Sequence, residues 1–281
     1  LADAILWNVK PWIVAIGLFC ALTGAFAFQR EFREYPGERP LAIPADALQP
    51  AEFVFGQLMY PSYGGGGFRR GGGGRDWRQG GQNQGWGNDY PAAARHLAMA
   101  LRRLTSIQAR SVEQPINLED DDDVFNWPFL YAARSVGINL TDEMVDKLRE
   151  YLDRGGFFVA DDMWGAEEHQ AIFALMEQLY PNRELVELGN SDQVMHILFD
   201  LDDRYQILGQ WGRFNGRALN EAYDPHWRGM FDEKGRMVIA VWLNNDTGDS
   251  WEWADDPTYA EHYSALGFRL AINHIAYAMT H

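Results

Sequence analysis

Between residues 12 and 28 the chain reads WIVAIGLFCALTGAFAF, without one charged side chain, and no other segment constrains the molecule as strongly. Together with the apolar residues 4–7, the run approaches the ~20 residues that cross a hydrocarbon layer, so it must lie in lipid or be removed. Trp7 and Trp12 flank Lys10 at one end, and Phe26, Phe28 and Phe32 mark the other, the pattern of aromatic anchors at two interfaces. Ala25-Phe26-Ala27 also reads as a small-x-small cleavage site, which makes a removable signal peptide the rival reading. We take an uncleaved anchor over residues 1–28. Lys10 and the amino terminus face Arg30 and Arg33 across the run, so charge does not set the orientation. A short N-terminus before a signal-like core favours export. The expectation is one pass through a bacterial inner membrane, with the large domain in the periplasm.

Beyond the anchor the chain is acidic. A net charge of −16 gives the folded part a negative field, which disfavours nucleic acid and favours a cation or a basic protein. The single cysteine, Cys20, lies within the apolar run. The rest of the chain therefore has no internal disulfide, thiolate metal site or cysteine nucleophile. No cofactor and no metal is expected.

Residues 29–52 mix charges with Pro36, Pro40, Pro44 and Pro50, which predicts an extended tether. A single domain over residues 53–281 comes next. Phe53-Val54-Phe55 opens a first strand ending near Tyr60. The connection after it carries an insertion at residues 64–87, GGGGFRRGGGGRDWRQGGQNQGWG, too rich in glycine to hold regular structure alone. In a cytosolic protein its Arg-Gly-Gly composition would point to RNA, a reading the acidic domain opposes. Such a stretch is fixed only where contacts offset its ordering entropy, and Phe68, Arg69, Arg70, Trp77 and Trp86 are able to make them. These five are the candidates for docking a partner protein.

Helical spacing predicts a helix over 92–104, a helix from Thr141 stopped by Gly155-Gly156, a helix over 167–179 and a closing helix over 259–279. Strands are expected at 112–118 (edge-like, because of Pro115), 125–131, 157–160, 195–198 and 237–242. The alternation predicts an α/β fold: a mainly parallel sheet flanked by helices, preceded by one transmembrane helix.

Ligands of such sheets bind at the carboxyl ends of strands, where the 157–160 strand runs into Asp161-Asp162-Met163-Trp164. Asp161, Asp162 and Trp164 suit a metal, a sugar or general-base chemistry; a helix cap and loop bonds explain the aspartates without any ligand. The acidic run 119–123 lacks the alternation of a calcium loop and reads as a solvated turn. Asn244, Asn245, Asp246 and Asp249 read as a hairpin-type turn, and His274 as a core residue.

Four blocks carry a resemblance: FVFGQLMY at 53–60, WGNDYP at 86–91, NWPFLY at 126–131 and LREYLDRGGFFVADDMWG at 148–165. Together they resemble the bacterial family called domain of unknown function 4159, from about Phe53 to the C-terminus. The resemblance implies a flavodoxin-like fold similar to the class I glutamine amidotransferase-like group. Enzymes of that group use a cysteine in an elbow after a strand; here no cysteine stands in such a place, so fold carries over and activity does not. The glycine-rich insertion departs from the family's plainer first connection.

The functional expectation is a non-enzymatic accessory or scaffold subunit of an integral membrane protein complex, a photosynthetic reaction-centre or respiratory assembly. Its acidic domain would concentrate a basic carrier such as a c-type cytochrome, with the lipid bilayer as second partner. The alternative is a membrane-tethered hydrolase or carbohydrate-binding domain using Asp161 and Asp162.

Overall fold

The computed structural model describes residues 32–37, 39–62, 76–79 and 85–281. The anchor expected at residues 1–28, with Trp7, Trp12, Phe26 and Phe28, lies outside them. Among the described residues no helix is long and apolar enough to cross a membrane. The elements in chain order are β1 (Gly56–Met59), α1 (Ala92–Leu104), β2 (Gln114–Asn117), β3 (Phe129–Ala132), α2 (Asp142–Asp153), β4 (Phe157–Met163) and α3 (Gly165–Leu179). They continue with β5 (Leu185–Glu187), α4 (Gln210–Asn215), β6 (His226–Phe231), β7 (Met237–Leu243), α5 (Thr247–Glu252) and α6 (Glu261–Thr280).

All strands among the described residues join one seven-stranded mixed sheet in the order β2-β1-β3-β4-β7-β6-β5. The run from β2 to β7 is parallel throughout. With β7 as its fifth strand it has the 2-1-3-4-5 order of doubly wound sheets. β6 and β5 extend it antiparallel. Every residue of β4 and β7 is buried, as expected of strands covered on both faces.

Alternation along each strand sends side chains to two cores. Leu130, Ala132, Phe158 and Ala160 meet Leu148 and Leu152 of α2 and Ile172 and Leu175 of α3. Phe129, Tyr131, Phe157 and Val159 meet Leu97 and Leu101 of α1, Trp251 of α5 and Leu270 of α6. Each fully buried leucine contributes roughly 1.5–3 kcal/mol relative to exposure, so these two layers dominate the stability. Helix α2 starts where the sequence predicts, with the Thr141 side chain accepting the Met144 N–H at 3.3 Å. It stops at Gly155, whose φ of 111° is open to glycine and costly for other residues.

One expectation is corrected. Residues 195–198 are not a strand: a 3-10 turn covers Gln193–His196, and the Asn273 carboxamide accepts the N–H groups of Leu198 and Phe199 at 3.1 and 2.9 Å. A side chain there takes the place of a neighbouring strand. Of the segment expected as an extended tether, residues 29–52, the described residues 33–37 and 39–52 form a strap along α1, held by Glu34 to Arg95 (2.9 Å), Arg39 to Asp255 (2.7 Å) and Asp46 to Arg102 (2.8 Å). The buried Arg95 guanidinium also holds Glu113 (3.1 Å) and the Leu41 carbonyl (2.6 Å). The prolines that suggested a spacer instead lower the entropy lost on docking.

Candidate functional site

The carboxyl ends of β1, β3, β4 and β7 lie side by side, the usual ligand position in such a sheet. Backbone strain gathers there. Asp89, Arg134, Asp162, Asn220, Glu221 and Asn244 are the non-glycine residues with left-handed φ (40–59°) among the described residues, and they lie at this rim. Such conformations cost of order 1 kcal/mol or more each and persist where the surroundings fix them. Asn220 shows how: its amide donates to the Trp164 carbonyl at 2.9 Å and to Glu168 at 3.1 Å.

β4 does not end at Ala160 but continues through both aspartates to Met163, with a register shift between Ala160 and Met163 where Asp162 turns left-handed. Consecutive carboxylates thereby meet different partners. One oxygen of Asp161, Oδ2, accepts from the Tyr131 hydroxyl (2.9 Å) and from the N–H groups of Thr247 (2.9 Å) and Gly248 (3.0 Å), at the start of α5. Oδ1 accepts from the Thr247 hydroxyl at 3.3 Å. Asp162 Oδ1 accepts the Trp164 indole N–H at 2.6 Å and lies 3.5 Å from Arg134. Arg134 in turn forks onto Glu168 at 3.0 and 3.1 Å.

Burial, reinforced by the neighbouring Asp162 charge, pushes Asp161 up to about 7 against the pull of its hydrogen bonds. Burial also pushes Asp162 up to about 6, with the Arg134 charge restraining the rise. Asp246, from the β7–α5 turn, adds to the crowd. Asp246 caps α5 by accepting the Asp249 N–H at 3.0 Å, and burial next to Asp162 and Asp249 raises its proton affinity well above the ordinary carboxyl value. This turn is therefore a helix start and not the hairpin the sequence suggested. Gly209 and Gly248 permit the approach: a Cβ on Gly209 would lie 1.9 Å from Asp246 Oδ2, and one on Gly248 2.0 Å from Asp89 Oδ2. The carboxylates of Asp89, Asp249 and Glu252 have oxygens within 4.8 Å of one another, the one acidic group among the described residues spaced to hold a cation.

Of the residues singled out from sequence, Asp161, Asp162 and Trp164 come together. Trp164 is buried and spent on Asp162, so it is not an exposed stacking surface. Phe68, Arg69 and Arg70 lie outside the described residues. Trp86 is 1% exposed, packs edge-on against Tyr35 and Tyr90, and donates its indole N–H to the Trp77 carbonyl at 2.8 Å. Trp77 is half-buried against the same core, and Arg78 forks onto Glu119 at 2.6 Å. The described residues of the insertion thus pack on their own domain. The acidic run is solvated only in part, since Asp123 is buried and accepts the Trp127 indole N–H at 3.2 Å. His274 is a core residue whose burial pushes its pKa down to about 4.

Sequence reasoning missed Asp89, Arg134 and Glu252. Asp89 had a visible signal, standing two residues before Pro91 at a helix start; Arg134 and Glu252 had none. The sequence pattern of the family described as Domain of unknown function (DUF4159) matches residues 78–279, from within the insertion through α6. No curated protein matches the chain.

Proposed function

We propose that this chain, which belongs to the DUF4159 family, is a non-enzymatic, membrane-anchored accessory subunit that binds and braces an integral membrane complex. One observation carries the reading: at the strand end where a fold of this kind would present a reactive group, Asp161 is closed over by the start of α5, and its oxygens are engaged by Tyr131, Thr247 and Gly248. A class I glutamine amidotransferase-like ancestry accounts for the parallel strand order, with the elbow cysteine replaced by this internal network. The residues at the strand ends then hold the domain in shape, and recognition falls to its surface.

The reading keeps the anchor at residues 12–28, a single pass in a bacterial inner membrane and an exported domain. A photosynthetic reaction-centre or respiratory assembly is the proposed host, and the charge of −16 would steer a basic c-type cytochrome towards it. The test is gentle detergent extraction of native membranes, affinity purification on this chain and mass spectrometry after size exclusion. Stoichiometric co-purification with one membrane complex supports the reading and names the host. A chain that runs alone as monomer or homodimer sinks it.

A second reading, hydrolase or carbohydrate-binding domain, is favoured by two adjacent carboxyls pushed up to about 7 and 6 at a strained strand end. The double variant Asp161→Asn, Asp162→Asn separates the two. Asparagine keeps an acceptor at the Oδ2 position of residue 161 and the Oδ1 position of residue 162 and removes the acid, and the new amide at 161 faces a Thr247 hydroxyl that can turn to accept. Assembly retained with unchanged ligand binding favours the subunit; a hydrolytic activity or glycan affinity lost with assembly intact favours the enzyme.

A further inference from the structure

We infer that residues 209–221 form a lid over the Asp162 end of β4, one that opens locally while the sheet beneath stays folded. The inference concerns the described domain alone and is independent of the subunit reading. The two ends of the segment are held next to each other. On the entering side the Ile207 N–H donates to the Asn245 side chain at 3.0 Å, and the Tyr259 hydroxyl donates to the Leu208 carbonyl at 2.8 Å. On the leaving side the Gln206 side chain donates to the Ala222 carbonyl at 2.7 Å, and Asn244 to the Asp224 carbonyl at 2.6 Å. Gln206 thus ties the start to the finish, the closed outline of an Ω-loop.

Between its ends the segment bridges α5 and α3. The Gln210 N–H donates to Asp249 at 2.5 Å, and the Asn220 amide donates to the Trp164 carbonyl at 2.9 Å and to Glu168 at 3.1 Å. Asp162, whose proton affinity is raised by burial and further by the charges of Asp249 and Glu168, lies between the two supports and is 5% exposed.

The fastening is light. Of residues 210–221 only Gly212 and Ala218 are buried, and neither has a side chain larger than a methyl, whereas Trp211 is 42% and Phe214 70% exposed. Among the described residues, the three bonds of Gln210 and Asn220 are the hydrogen bonds that tie this stretch to the rest of the domain. Others are internal, such as the Arg213 N–H to the Gly209 carbonyl (3.0 Å) and the Arg217 N–H to the Gly212 carbonyl (3.2 Å). A unit that buries so little apolar surface opens at a lower free energy than β4 and β7, which are buried at every position. Opening also releases the left-handed backbone of Asn220 and Glu221 (φ 51° and 55°).

The test uses the full chain with Cys20→Ser, Gly165→Cys and Asn220→Cys. A Cβ at residue 165 lies 3.6 Å from that of Asn220, the separation of a disulfide, so oxidation staples the lid shut and reduction frees it. Carbodiimide coupling of glycine ethyl ester to Asp162, located by mass spectrometry, reads the opening. Coupling at Asp162 is expected to be several-fold slower in the oxidised than in the reduced form of the same variant, with coupling at the exposed Glu143 unchanged. Equal rates at Asp162 in the two forms overturn the inference. Residues 165 and 220 both have left-handed φ (77° and 51°), so hydrogen exchange on the unsubstituted chain accompanies the variant. The bonded amides of Gln210, Arg213 and Arg217 are expected to exchange about tenfold faster, or more, than those of β4 and β7. Exchange as slow as in those strands means that the segment opens only with the whole domain, and it overturns the inference even where the variant does not fold.

Discussion

At the amino end of the central strands the chain is held by one cation and by close apolar fit. The Arg236 guanidinium donates to the carbonyls of Leu152 and Gly155, both at 3.0 Å, where α2 ends. The Tyr151 ring lies flat on Gly156 while its hydroxyl contacts the Phe157 backbone at 3.2 Å. At the carboxyl end of the same strands, carboxylates crowd one another around Arg134 on a backbone bent into left-handed conformations. The difference teaches where this domain is stable and where it is loaded. Charge repulsion and backbone strain are confined to one end, and the apolar layers of β4 and β7 carry their cost.

The sharpest way to break that contrast is Asp161→Ala. Removing the acceptor leaves the buried Tyr131 hydroxyl and two amides without their partner and opens a void, so urea unfolding should show a loss of about 3–5 kcal/mol. A loss under ~1 kcal/mol would mean that the network is not structural. Next in size is the pH dependence. An acid whose pKa is about 7 when folded and near 4 when unfolded binds more protons in the native state between those values. Its contribution is therefore greatest below pH 4 and falls as pH rises to 7, by roughly 2–4 kcal/mol in a titration of stability, and Asp161→Asn should flatten that fall.

At the amino end the expected effects are steric and smaller. Gly156→Ala would put a Cβ 2.2 Å from a Tyr151 ring held by its hydroxyl, for a loss of about 2 kcal/mol with no change in pH profile. Arg236→Ala should cost about 1–2 kcal/mol through the carbonyls it leaves unpaired. Phe214→Ser, on the exposed rim, should shift stability by less than ~0.5 kcal/mol in urea unfolding.

Elements with an unbroken period were legible in advance. α1 covers the expected residues, Thr141 caps α2, and the apolar runs of β4 and β7 announce buried parallel strands. β6, HWRGMF, was not legible, because its alternation mixes charged and aromatic residues around a glycine, and β5 is only three residues long. Asp161 and Asp162 were found from their place after a strand. Their helix-capping counterpart at Asp246 was misread because α5 is one short turn and a half, too brief for any periodicity to show. The strap escaped notice because its anchors, Glu34, Arg39 and Asp46, find partners far along the chain, a pairing that spacing cannot encode.

That strap has a mechanical meaning. It runs beside α1 from Tyr35 at one end of the sheet to Phe53 at the other, where Phe53 bridges Ala109. A tug delivered at Arg33 and directed along α1 therefore loads the Arg95, Asp255 and Arg102 contacts simultaneously, as shear, instead of peeling them apart in turn. A load applied there reaches the domain as a whole, and the fastening gives way only when its ion pairs fail together.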